Sequence, residues 1–227
     1  MNNLVLAALF FVVMHRGVSG SPLRQVLVRR VGENAYGGLF TLVSLAAVAW
    51  LAFAYAGAAS AIAAAPLWDV HPAFYYLQWL LQPLAMLFIG VGVATPNPGM
   101  ARQAALVHRG EIVRGMLRVT RHPFLWGVAL LSAGHLMVVP TPRAFVLFGT
   151  LLFVALSGTT SIDRKRLARL GEKWSAFQAQ TSNVPFGAIL SGRQHFPWGE
   201  IGWRRLLLSL ALAGLVVWLH SWRGASS

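Results

Sequence analysis

Six apolar runs, joined by linkers that alternate between arginine-rich and nearly uncharged, constrain this chain more than any single motif. The runs are Asn3–His15, Gly38–Ala63, Phe74–Ala94, Phe124–Val139, Phe145–Ser161 and Leu206–Trp222. A helix needs about 20 apolar residues to cross a bilayer. The first and fourth runs are shorter, so each must extend into its polar flank or lie in a thinned, protein-lined region. The expected fold is all-α: a polytopic membrane helix bundle of about six transmembrane helices, forming one domain over 1–227.

The linkers set the orientation. The Arg16–Gly37 segment carries Arg16, Arg24, Arg29 and Arg30 against Glu33. The Ala64–Ala73 loop carries only Asp69. The Thr95–Arg121 segment carries Arg102, Arg109, Arg114, Arg118 and Arg121 against Glu111, and the turn at Pro140–Pro142 carries only Arg143 beside it. The Ile162–Arg205 segment has eight bases against three acids. Basic loops stay in the cytoplasm, so the pattern predicts a multi-pass protein of the inner (cytoplasmic) membrane with both termini periplasmic. The Leu4–Met14 run lacks a basic flank before it and a small-residue cleavage site after it, so it reads as the first span and not as a signal peptide.

Composition closes off other classes. Only 11% of residues are charged, mean hydropathy is +0.60 and the formal charge is +13. The bases lie between apolar spans, where they meet anionic lipid, so the expected partners are membrane lipids and no nucleic acid. Cysteine is absent, which excludes disulfides, thiolate ligands and a Cys nucleophile. No glycine-rich nucleotide loop, nucleophile elbow or zinc-protease spacing is present. Asp163–Gln180 places Leu167, Leu170, Trp174 and Phe177 at helical spacing, so it reads as a cytoplasmic amphipathic helix lying on the membrane surface. Pro96-Asn97-Pro98-Gly99 reads as a tight turn.

Two histidines stand out. His15 closes the first run beside Arg16, and His122 opens the fourth within Arg121-His122-Pro123. Both lie on the arginine-rich side at similar depth, and two opposed imidazoles are what a haem iron needs as axial ligands. Taken singly, each reads first as an interfacial histidine bonded to backbone or lipid phosphate, and it is their matched depth that brings in the ligand reading. Pro123 suits a first helical turn, which puts His122 at the N-cap with its ring toward the helix mouth. His135 lies about 20 Å further along such a helix and forms, with His71, a competing pair on the outer side. His108 and His195 fall in cytoplasmic loops and read as solvated, and His220 as an interface residue. Asp163 reads either as a cap and ion-pair partner or as a carboxylate orienting a ligand histidine. Arg16, Arg118 and Arg121 suit the propionates of a haem, or equally lipid phosphates.

In their order, several stretches resemble the NnrU family of integral membrane proteins. They are Phe10–His15, Gly32–Tyr36, Pro96-Asn97-Pro98, Arg121–Gly127, Gly134-His135-Leu136, Asp163-Arg164-Lys165 and Thr181–Phe186. That family was named from an association with nitrogen-oxide metabolism in denitrifiers, and it is related to zeta-carotene isomerase, a membrane enzyme that isomerises a cis double bond with haem b. The resemblance implies haem b as cofactor, His15 and His122 as metal ligands, and Asp163 as the supporting carboxylate. It also implies isomerase-like or redox chemistry on an apolar substrate such as a polyene, or an accessory role without turnover. Arg-His-Pro-x-x-x-Gly, with the charged helix after it, also resembles S-adenosylmethionine-dependent membrane methyltransferases of the isoprenylcysteine and phospholipid type. There an acidic pair is expected where this chain has Asp163 followed by Arg164.

Overall fold

The computed structural model describes residues 1–19, 21–58, 65–100, 103–108 and 112–225. The described residues are 76% helix, with no strand among them. Its helices are α1 (Asn2–Val12), continued by a π-helical turn at Val13–Val18, α2 (Leu23–Val31), α3 (Glu33–Gly57), α4 (Pro72–Ala94) and α5 (Met116–Val119). They continue as α6 (Pro123–Val138), α7 (Pro142–Leu170), α8 (Glu172–Gln180), α9 (Gly187–Leu190) and α10 (Trp203–Ala225).

The expected spans are realised unevenly. Among the described residues, α3, α4 and α7 are long and apolar enough to cross a membrane. A fourth candidate joins α1 and its π turn to α2 across a 78° bend. Two of the six expected spans fall outside this set. The fourth run forms α6, only 16 residues long, and the last lies within the 23-residue α10. Six crossings are therefore finer than the helix lengths support. Arg102, Arg109 and Glu111 lie outside the described residues.

The chain packs as two compact units, residues 1–78 with 132–161, and residues 79–131 with 162–227. The first has a small-residue seam: Leu4, Ala7, Ala8 and Phe11 of α1 pack on Ala47, Leu51 and Ala54 of α3, with Val154 of α7. Lipid gives helices no hydrophobic reason to associate, so close packing of small side chains must supply the attraction. The Trp50 indole N–H donates to Asn3 Oδ1 at 3.0 Å and pins the same pair.

The second unit uses the same device more tightly. A Cβ at Gly127 of α6 would lie 2.7 Å from the backbone nitrogen of Ile89 and 2.9 Å from the carbonyl oxygen of Ala85, so only glycine permits this approach to α4. The amphipathic surface helix expected over Asp163–Gln180 is not one helix. α7 continues through Asp163 to Leu170, then the chain breaks at Gly171, whose φ of +54° disfavours any side chain. In α8, Trp174 is 0% and Phe177 2% exposed, packed with Leu117, Val107 and Leu170. The apolar stripe seats the helix on protein.

Candidate functional site

The second unit brings four separate stretches of chain onto one buried point. Arg121 and His122 precede α6, where Pro123 starts the helix and the His122 carbonyl accepts the first helical bond, from Trp126 N–H at 3.0 Å. Opposite them is Asp163, within α7. Its carboxylate accepts from Arg121 Nη2 at 2.6 Å and Nε at 3.0 Å, and from His122 Nε2 at 2.9 Å. All three residues are buried, at 8% exposure or less. The His122 ring turns to this carboxylate and not to the helix mouth.

Two loops hold the pair in place. Asn97 Nδ2 donates to the Arg121 carbonyl, and Asn97 Oδ1 accepts from Gly99 N–H. Arg121 N–H donates to the Ser182 carbonyl, Phe186 N–H to the Val119 carbonyl, and the Thr120 hydroxyl to the Asn183 carbonyl. Thr120 Oγ1 in turn accepts from His122 N–H. Arg166, one turn beyond Asp163, donates to the Met100 carbonyl at 2.7 Å. The sequence marks Asn97 only as a turn residue. Its second role, fixing the Arg121 carbonyl, has no local signature, and neither do those of Thr120, Ser182 and Asn183.

The tautomer follows from these bonds. A carboxylate only accepts, so His122 Nε2 carries the proton. Burial holds the imidazole below its ordinary pKa, against the opposing pull of Asp163. The neutral ring then carries its lone pair on Nδ1, on the side of Gly99, where an added Cβ would stand 3.7 Å away.

The other candidates have their own surroundings. His15, in the first unit, donates from Nδ1 to the Phe11 carbonyl at 2.9 Å, which puts the lone pair of the neutral ring on Nε2. Its ring packs 4.1 Å from Phe11 and edges Phe40, which stacks on Tyr36. Arg16 donates to the Ser157 carbonyl. Arg118 pairs with Glu200 at 2.8 Å and also reaches Gln194. For Arg118 and Arg121, then, the carboxylates held are the protein's own. His135 stacks on Phe148 at 4.2 Å. His71 Nδ1 accepts from Ala73 N–H, His108 pairs with Lys173, and His195 lies 3.5 Å from Glu200. Among the described residues no group of three or more His, Cys, Asp or Glu is placed to hold a metal ion.

These features define a helical membrane protein with a buried arginine–histidine–carboxylate cluster at the root of one apolar helix. The chain belongs to the NnrU protein family, whose model matches residues 3–227. It is 27% identical over 201 residues to the chloroplastic 15-cis-zeta-carotene isomerase of Zea mays and 25% identical over the same length to that of Arabidopsis thaliana. Each match covers 86% of this chain and 52% of the relative, so the chain spans about half the length of these isomerases. No solved structure matches.

Proposed function

We propose that this chain is an isomerase-like membrane enzyme acting on an extended apolar polyene, with the Arg121–His122–Asp163 cluster as its polar centre. One observation carries the reading: residues far apart in sequence, Asn97, Arg121, His122, Asp163 and Ser182, converge on a charged pair buried in an apolar chain. Charges in such surroundings are costly and mark functional sites. The likeness to the plant isomerases supplies the reaction class.

The cofactor in this proposal is haem b, with His15 and His122 as ligands. His15 suits the role in one respect: a carbonyl on Nδ1 is the kind of outer partner that orients an iron-ligating imidazole. His122 offers Nε2 only by giving up its bond to Asp163; as held, it offers Nδ1. Bound haem would supply an iron centre able to interact with a conjugated double bond. The protein's own share is to orient the imidazoles, keep water from the apolar chain and hold the Asp163 charge against Arg121. Asp163 is spent on Arg121 and His122, and Arg164 follows it, so nothing here favours the adenosylmethionine reading.

The test is the visible spectrum of protein purified in mild detergent. A Soret band lost in His15→Ala and changed in His122→Ala, but not in His108→Ala or His195→Ala, is the expected result. Colourless protein that takes up no added haemin sinks the cofactor. Incubation with a cis-carotene in liposomes, read by chromatography of the isomers, tests turnover separately. The six-crossing topology in the inner membrane, with periplasmic termini, is part of the same proposal. A reporter after Lys173 should read cytoplasmic and one at the C-terminus periplasmic; a cytoplasmic C-terminus refutes the span count.

A further inference from the structure

The apolar stripe expected to lie on the membrane, Trp174 with Phe177, is sealed inside the second unit. The same unit instead exposes large apolar side chains on the segment that leads into α10. Leu190 is 86%, Trp198 85% and Trp203 65% exposed. This is not a slack loop. Arg193 donates to the Ala179 and Thr181 carbonyls, Gln194 to the Gln180 carbonyl, and Glu200 accepts from Gly115 N–H and Arg118. The Phe196 ring packs against that of Trp198 at 4.4 Å, tilted by 43°. A well-tethered segment thus holds two indoles and a leucine outward, where water penalises them.

We propose that Leu190–Trp203 seats in the headgroup layer of an anionic bilayer, with Leu190, Trp198 and Trp203 as anchors. Tryptophan favours that layer because its ring is apolar and its N–H is wet. The charge is complementary. Arg193, Arg204 and Arg205 lie in or beside the segment, Arg204 sits 5.4 Å over the Trp203 ring, and the lone acid, Glu200, is neutralised by Arg118. The surface also continues into α10, where Leu207 and Leu210 are exposed. A bilayer edge accommodates such a mixed strip of indole and guanidinium, whereas a protein partner would have to bury the arginines.

The absence of cysteine allows a clean test. Gly199→Cys puts a thiol beside Trp198 without removing an anchor, and its Cβ meets open space. Ser175→Cys, exposed on α8, is the comparison. Each is labelled with a nitrobenzoxadiazole dye and placed in nanodiscs of phosphatidylcholine, with or without one-third phosphatidylglycerol. Quenching by headgroup-nitroxide lipid is compared with quenching by aqueous iodide.

The expected result is several-fold stronger lipid quenching and weaker iodide quenching at position 199 than at 175, enhanced by phosphatidylglycerol. Adding Leu190→Ser and Trp198→Ser should return the dye to iodide. Four outcomes would overturn the proposal: equal quenching at both positions, shielding from both quenchers (which would point to a second copy covering the strip), no change on removing the anchors, or indifference to lipid charge. None of these readouts depends on haem or isomerisation.

Discussion

Asp163→Ala removes the carboxylate that Arg121 and His122 share, and its cost follows from what is left behind. Arg121, 8% exposed, would keep a full charge with no counter-ion, because its other contacts run through its backbone. Removing one partner of a buried ion pair costs about 3–5 kcal/mol, mostly as the uncompensated charge. For a chain of this size each kcal/mol moves the melting temperature by about 2–4 °C, so a fall of about 10 °C is expected. Replacing both charges, Arg121→Met with Asp163→Leu, removes the buried charge altogether and should recover most of that loss. Thermal melting in one detergent, followed by circular dichroism, reads both variants. If Asp163→Ala melts within about 2 °C of the natural chain, the pair is not a desolvated ion pair. If the double variant melts as low as the single one, the loss is one of packing and the argument from charge fails.

Two further perturbations test the frame around the site. Arg118 holds the Glu200 carboxylate, with help from Gly115 N–H, down to about 2 from a usual 4.5. A depressed pKa contributes stability that is complete above 4.5 and fades as pH falls toward 2. The melting difference between the natural chain and Glu200→Gln should therefore narrow as pH is lowered through that window; a gap that widens refutes it. Gly127→Ala drives a methyl against the α4 backbone at Ile89 and should lower the melting temperature by several degrees, at about 1–3 kcal/mol for overpacking. Gly149→Ala, where a Cβ meets nothing within 4 Å, should not; similar losses in both would remove the close-approach argument.

The apolar runs locate the long helices well because burial in lipid and helix formation make the same demand on consecutive residues. α4 and α7 each contain an expected span, and α3 holds residues 38–57 of the second, whose last residues to Ala63 lie largely outside the described residues. The ends are less legible: the Phe145–Ser161 run stops where apolarity stops, yet α7 continues nine residues beyond Ser161, since a helix outlives its lipid-facing part when protein receives it. The same ambiguity misplaces Trp174 and Phe177. A stripe at helical spacing says that one face is buried, not whether lipid or protein buries it. At the site, His122 and Asp163 are conspicuous as rare polar residues in an apolar chain. Their partnership is not, because a separation of 41 residues leaves no periodic trace. Asn97 and Ser182 act through backbone carbonyls, which any sequence supplies.

What the cluster is for follows from its energetics more than from its geometry. A buried arginine–carboxylate pair is at best an even exchange against well-packed apolar side chains. This chain has apolar side chains in abundance, so stability alone does not explain Arg121 and Asp163. Nor does helix termination, since Pro123 and Gly171 already mark the boundaries of α6 and α7. What apolar substitutes could not do is hold one imidazole in one tautomer with its lone pair on a chosen nitrogen. Asp163 does that for His122 while Arg121 keeps the carboxylate charged, and a fixed imidazole lone pair has value chiefly to something that accepts it, whether a metal or a proton. The Phe11 carbonyl imposes the opposite tautomer on His15. Two histidines fixed in opposite tautomers by a carboxylate and a carbonyl are difficult to account for by packing, and they are the reason to look for chemistry in a chain whose composition otherwise describes only a membrane anchor.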